Sequence, residues 1–355
     1  MALQGSGEIS LGDIGNEFGY THGSETRLGS YRTTNGQGNF PVSFGALQFA
    51  SIDAQTGGSV PTSGQIKFSD FYSTKLQTVV NFYGSGRGGS RLIAKDRYNA
   101  GGSNDVDVVG NYRTRPNNSS QTKVHIHVNQ QIGSEKTRVE HCALRTGNWD
   151  SSTTLQVDVG GSGRIGGAGG DGGDGGNPYA NSNSNGGSGT SGLGVEYTPT
   201  TVNVASGGVI TAGFGGGGAG GGAYDTDKEG SRTASGGGGG GGAGIPAGAG
   251  GAGGTDGGVN GGNGNAGGVS EGGLGGSNAS NDGEAVSGEG GDGGEATQAA
   301  QEGTTGTGGE GSTYGGGDPG GTGAAIRKTQ SSFTVNVNIA SSGSVNGVQN
   351  ATSVL

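Results

Sequence analysis

Apolar and polar residues alternate along Thr78-Val79-Val80-Asn81-Phe82-Tyr83, Arg91-Leu92-Ile93-Ala94, Val106-Asp107-Val108-Val109, Lys123-Val124-His125-Ile126-His127-Val128 and Leu155-Gln156-Val157-Asp158-Val159. Successive side chains of a strand point to opposite faces, so these runs predict short, half-buried strands. The Gly/Asn/Pro turns between them predict an all-β, sandwich-like domain over 78–159. Alternation returns in Thr201-Val202-Asn203-Val204 and in Val335-Asn336-Val337-Asn338-Ile339, each followed by small residues and another apolar position. With Leu155-Gln156-Val157-Asp158-Val159 these are copies of one strand-turn phrase, expected to stack into a short sheet.

Ahead of the strands, residues 1–77 contain a duplicated phrase: Gly7-Glu8-Ile9-Ser10-Leu11-Gly12-Asp13-Ile14 and Gly64-Gln65-Ile66-Lys67-Phe68-Ser69-Asp70-Phe71. Each puts two apolar side chains on one face of an extended segment, with an aspartate placed to cap a helical turn. Few other large apolar residues lie between the copies, so this is a small module that completes its apolar faces against something larger. Its candidate docking residues are Ile9, Leu11, Ile14, Ile66, Phe68 and Phe71.

From residue 160 the pattern changes to one of glycine, which makes up 92 of the 355 residues and so leaves no ordinary oily core for this half. Such density suggests disorder first, because glycine loses the most backbone entropy on folding. We read it as ordered. In Gly166–Asn177 the non-glycine positions recur every third residue, and the same spacing returns at Glu289, Asp292 and Glu295. Polyproline-II geometry repeats every 3 residues and makes no internal hydrogen bonds, so glycine edges can approach neighbouring helices and bond between them. The prediction for 160–355 is a polyglycine-II helix bundle interspersed with short strands, its core made of main chain. Gly236 to Gly242, with no side chain, is expected innermost. The fold class is thus mainly β, with a small amino-terminal module, a sandwich-like middle and a glycine-helix domain.

Three resemblances attach to these motifs. The duplicated phrase resembles the opening segment of phage tail proteins, which implies that residues 1–77 attach to the virion. The order T-G-x-W-x-x-x-x-x-L-x-V, carried by Thr146, Gly147, Trp149, Leu155 and Val157, followed by the G-R-I-G-G-x-G-G-D-G-G run, is similar to glycine-rich phage tail-tip and tail-fibre proteins. The glycine half resembles the polyglycine-II domain of phage fibre-tip adhesins, in which loops at the ends of the glycine helices touch the host receptor. Those resemblances imply a virion protein, extracellular in the free particle, with tail or baseplate proteins and a host protein or glycan as partners, as a homotrimer. Presenting loops would be 177–200, 223–234 and 304–314. They carry Tyr179, Tyr197, Tyr224 and Tyr314, which are rigid amphipathic contact residues or else caps on the bundle. A structural baseplate or fibre-shaft component and an ice-binding polyglycine-II protein are the alternatives.

Charge narrows the picture. The net −10 comes from the glycine half, which would repel phosphate backbones and makes nucleic acid an unsuitable partner. One cysteine, Cys142, leaves no internal disulfide to staple that half. No apolar run reaches the roughly 20 residues of a membrane helix, and no leader opens the chain, so membrane insertion is not expected.

Specific chemistry is sparse. Gly84–Gly89 and Gly161–Gly166 match the dinucleotide fingerprint G-x-G-x-x-G, but neither opens a helix. The Gly169–Asn177 tract lacks the large apolar residue of calcium-binding nonapeptides, which leaves Asp171 and Asp174 as solvated edges or loose calcium ligands. His125 and His127 face one side of a strand and form either a polar strip or, in a threefold fibre, a metal site on the axis. His141 beside Cys142 has no partner at zinc-ligand spacing. No nucleophile–base pair stands out, so neither an enzyme nor an organic cofactor is expected.

Overall fold

The computed structural model describes residues 3–18, 28, 33–34, 37–38, 43–44, 47–53, 61, 63–73, 75–82, 92–93, 123–136, 138–149, 154–180, 184–227, 230–255, 258–308 and 311–354. The expected strand at 106–109 and the glycine fingerprint at 84–89 lie outside them.

The chain opens with α1 (Leu11–Phe18), the short strands β1 (Thr33–Thr34), β2 (Gln37–Gly38), β3 (Ser43–Phe44) and β4 (Leu47–Asp53), and a 3-10 turn at Phe68–Phe71. Both copies of the duplicated phrase start a helical turn, and in both the aspartate acts from inside the turn rather than ahead of it. Asp13 Oδ2 accepts the Ser10 N–H at 2.8 Å while Ser10 Oγ accepts the Asp13 N–H at 3.1 Å, the reciprocal capping box. Asp70 Oδ2 likewise accepts the Lys67 N–H at 2.7 Å. The Tyr72 hydroxyl donates to Gly7 O, and Ser73 N donates to Gln4 O at 3.1 Å, so the second copy closes on the first.

From Lys75 the chain winds through β5 (Lys75–Phe82), β6 (Leu92–Ile93), β7 (Lys123–Val128), β8 (Gln131–Ile132), β9 (Cys142–Arg145), β10 (Thr154–Val159), β11 (Arg164–Gly166), β12 (Ser191–Val195), β13 (Thr200–Val204) and β14 (Val209–Thr211). A long insertion follows, carrying β15 (Ala223–Asp227), β16 (Gly230–Ala234), β17 (Ser280–Asn281), β18 (Ala285–Val286), β19 (Thr307–Gly308) and β20 (Ser312–Thr313). The winding resumes with β21 (Ile326–Lys328), β22 (Val335–Ile339), β23 (Ser344–Asn346) and β24 (Ala351–Thr352).

Every circuit feeds parallel sheets. The first contains β5, β7, β10, β13 and β22, the second β8, β11, β14 and β23, and the third β6, β9, β12, β21 and β24. The result is a three-sided parallel coil, with β4 antiparallel along β5. The sandwich expected over 78–159 is replaced by the first turns of this coil, whose sheet continues past residue 159 through β13 and β22. Alternation sets which face of a strand is buried but not the direction of its neighbour, so the parallel pairing had to come from the circuit itself.

Stacked ladders fill the coil. Ile126, Val157, Val202 and Val337 are in register, as are Ile132, Ile165, Ile210 and Val345 and Leu144, Leu193 and Ile326. Nearly all are fully buried in one cluster, each worth about 1.5–3 kcal/mol of transfer free energy. The repeated strand-turn phrase does stack. Its corners close by the same bond, Gly163 N to Gly160 O at 2.8 Å, Gly208 N to Ala205 O at 2.9 Å and Gly343 N to Ala340 O at 2.9 Å. Gly207 sits in its corner at φ +84°, where a side chain would be strained.

Glycine-rich rods leave the coil between β11 and β12 and between β14 and β21. Their hydrogen bonds advance three residues at a time: Gly170, Gly173 and Gly176 donate to Phe214, Gly217 and Gly220, while Gly169, Gly172 and Gly175 donate to Pro246, Ala249 and Ala252. The tract 235–244 is surrounded. Its N–H groups reach 166–177, 287–295 and 259–268 in rotation, and its C=O groups accept from 246–254, 212–222 and 271–278. The neighbouring rod 213–222 donates to 184–190, 235–244 and 300–306 and accepts from 314–324, 166–177 and 287–295. Gly236 to Gly242 are all buried, and a Cβ built on Gly239 would overlap Gly217 O. Outer rods lack a full ring of neighbours, and side chains stand in for them. Asn263 Oδ1 accepts the Gly253 N–H at 2.8 Å, Asp292 Oδ1 that of Gly275 at 2.8 Å and Asn185 Oδ1 that of Asp318 at 2.9 Å.

Candidate functional site

The rods have a near end at the coil and a far end away from it. Near-end connections are 245–247, 268–271 and 296–299; Ser134 N donates to Ile245 O at 2.9 Å, and Val269 and Ala296 line one cleft with Arg164 of β11 and Val209 of β14. The opposite ends meet in a plate of hairpins. There β15 pairs antiparallel with β16 and β20, and β18 with β17 and β19.

Small residues let these hairpins close on one another, since Ala223, Ala234, Ala279 and Ala285 form a buried cluster and Ala234 bridges Val259. Polar contacts fix their relative position. Arg232, only 16% exposed at its side chain, reaches Asp282 at 3.5 Å and Glu284 at 2.6 Å, and Asn281 Nδ2 donates to Thr233 O at 3.3 Å. The turn between β17 and β18 is Asp282-Gly283, at φ 55° and 77°, the residue pair that hairpins favour. That dipeptide was the sequence signal for a connection absent from the expected loops.

Tyr179 is 60% exposed in the turn at 178–180, held by the Tyr179 N–H donating to Asn177 Oδ1 at 2.7 Å. Its ring stands 5.5 Å from that of the half-buried Tyr224 on β15, so two of the expected tyrosines meet on the plate. Tyr314 is half-buried where its rod begins, its N–H donating to Gly222 O at 3.1 Å. Tyr197 departs from expectation: it is 5% exposed and belongs to the coil core. The reason is alternation, because Leu193, Val195 and Tyr197 all face inward. The expected loop 177–200 is therefore, from residue 184 on, mostly rod and strand, and Pro178 to Ala180 form a turn at the far end.

Of the expected docking residues, Ile14 and Phe71 are fully buried, Ile9, Leu11 and Ile66 half-buried, and Phe68 is 42% exposed. Thr146 and Trp149 turn out to build a corner: Trp149 Nε1 donates to Thr146 O at 2.8 Å and Glu196 N donates to Thr146 Oγ1 at 2.9 Å. Gly161–Gly166 turns into strand β11, so the phosphate-cradling helix start is missing there. Cys142 is buried, its thiol donating to Glu140 O.

His125 and His127 share the outer face of β7, and Asp158 of β10 lies in register beside His127. Ligand atoms of all three lie within 4.8 Å of one another, the one such group among the described residues. Burial lowers the His127 pKa, against the opposing pull of Asp158. Asp158, on the neighbouring strand, supplies the third group of this cluster.

No helix among the described residues is long and apolar enough to cross a membrane. No curated protein matches the chain. Among solved structures, the crystal structure of the gp37-gp38 adhesin tip complex of the bacteriophage S16 long tail fiber is similar at 15% identity and a TM-score of 0.33, covering 81% of this chain and 88% of that one. Residues 97–349 match the family described as phage tail fibre adhesin Gp38. With most of its length matched, including β7 to β23 and the whole glycine bundle, the chain belongs to the phage tail fibre adhesin Gp38 family and is a protein of the virion tail.

Proposed function

We propose that the far-end plate is the surface with which this adhesin touches the host cell, and that the coil side, with residues 1–77, joins it to the tail. The observation that carries this reading is the separation of roles along the bundle. The rods pack through main chain and have few side chains free to vary, so recognition falls to the connections, and the larger of these converge at the end remote from the coil. Tyr179 and Tyr224 give that end an aromatic pair on a hairpin scaffold, the kind of contact that binds protein or sugar at low entropic cost.

The three-residue hydrogen-bond repeat and its rotation among neighbours support reading the rods as polyglycine II, a stiff spacer that holds the plate away from the tail. On the other side, Phe68 leaves apolar area for a tail partner. The test is adsorption: purified chain should bind susceptible cells saturably and block virus from attaching. A chain that never binds those cells would leave it a shaft or baseplate component.

A further inference from the structure

We infer that His125, His127 and Asp158 form a binding site for one divalent first-row transition-metal ion of the zinc type, on the outer face of the coil. The ligand set comes from strand register. His125 and His127 are two apart on β7 and so share a face, and Asp158 pairs directly with His127.

The carboxylate is already aimed. Its Oδ1 accepts from Gln156 Nε2 at 2.7 Å and from Asn203 Nδ2 at 2.8 Å, and Gln156 Nε2 also reaches Oδ2 at 3.0 Å, which fixes the carboxylate with Oδ2 on the side of the imidazole. Asn338 Nδ2 in turn donates to Asn203 Oδ1 at 2.8 Å, holding the amide in place. Such outer partners orient metal ligands in built sites.

The spacing favours an ion over a direct bond. His127 Nδ1 and Asp158 Oδ2 are 3.6 Å apart, longer than a hydrogen bond. Two ligands that each sit about 2.0–2.1 Å from one tetrahedral ion are about 3.4 Å apart, so a small closure brings both onto it. Two imidazoles and one carboxylate suit zinc, cobalt or nickel rather than calcium or magnesium, and a water completes the set. Side-chain exposures of 30% for His127 and 23% for Asp158 leave a path from solvent. The ion would clip β7 to β10, tying two successive turns of the coil together.

The experiment uses the full chain, stripped with chelator and titrated with Co²⁺ followed by its visible absorption, then with Zn²⁺ in competition. The expected result is one Co²⁺ per chain, displaced by Zn²⁺, with a rise in melting temperature at saturating Zn²⁺. His127→Gln and Asp158→Asn should each weaken Co²⁺ binding more than tenfold and abolish the rise. Asn203→Ala should weaken it by about tenfold through Asp158, and His141→Gln should change nothing. These side chains lie on the outer face, so the variants should melt like the metal-free parent. Should one of the ligand variants fail to fold, Asn203→Ala and His125→Gln carry the same comparison. Absence of saturable binding, or binding indifferent to Asp158→Asn and His127→Gln, overturns the site.

Discussion

The carboxylate of Asp171 accepts the main-chain N–H of Ala249 at 2.7 Å. Asp174 repeats the contact three residues later with Ala252, at 2.8 Å. The acidic residues of the Gly-Gly-Asp repeat therefore act as edge acceptors for a neighbouring rod, completing the hydrogen bonding that a further rod would otherwise supply. Asp174→Ala should cost about 1 kcal/mol, while Asp174→Asn, which keeps an acceptor oxygen, should cost less. Thermal melts of the two variants beside the parent check this, and equal losses would mean that the edge bond is not what the side chain supplies.

Asp171 also pairs with Lys136 at 2.7 Å. Burial works to raise its pKa, but the Lys136 hydrogen bond, the Ala249 N–H and the Lys136 charge outweigh it and hold it below the ordinary 3.8. A depressed folded-state pKa gives stability that is present above the unfolded value and is lost as pH falls through the folded one. The melting temperatures of the parent and Asp171→Asn should thus differ near neutrality and converge below the ordinary carboxylate range. The gap should be small, because this carboxylate is half exposed and solvent screens it. A gap that widens in acid would contradict the assignment.

Inside the bundle the constraint is steric. Gly239→Ala places a Cβ against Gly217 O in a fully surrounded rod, and overpacking there should cost about 3 kcal/mol. Glu289→Ala, at an exposed third position of an outer rod, should change stability by about 0.5 kcal/mol or less. Unfolding midpoints in denaturant separate the two, and comparable losses would contradict the three-residue register.

The coil and bundle should also unfold together. β13 lies between β10 and β22, and the chain passes through the whole glycine insertion between β13 and β22. Val202→Ala should cost about 2 kcal/mol and lower a single calorimetric transition that includes the bundle. Two transitions, only one of them shifted, would contradict this.

Much of this was legible in the sequence, for identifiable reasons. Glycine spacing exposed the rods because only glycine edges permit main-chain contact, and the side-chain-free tract Gly236 to Gly242 could sit nowhere but inside. The strand-turn phrases exposed their own stacking. Parallel pairing was not legible, since alternation in Leu155-Gln156-Val157-Asp158-Val159 is the same in either direction, and β21 meets β12 only after the long insertion. Tyr197 was misplaced by reading its neighbourhood as loop when the Leu193, Val195, Tyr197 alternation marked a buried face. Asp282-Gly283 was a readable hairpin signal hidden among glycines. Asp158 joins His127 only through strand register, which no local spacing reveals.

The most direct measurement is a cell-binding titration of the full chain carrying Tyr179→Ala and Tyr224→Ala together, beside Val269→Asp at the near end. Val269 is 40% exposed, so both changes should leave the fold intact, as melting curves will check. Truncating aromatic contacts typically costs about 2 kcal/mol or more, so the far-end variant should bind at least about 30-fold more weakly, and Val269→Asp should bind like the parent. A folded far-end variant that binds as the parent does, or a near-end change that abolishes binding, would contradict the placement of the receptor surface on the far-end plate.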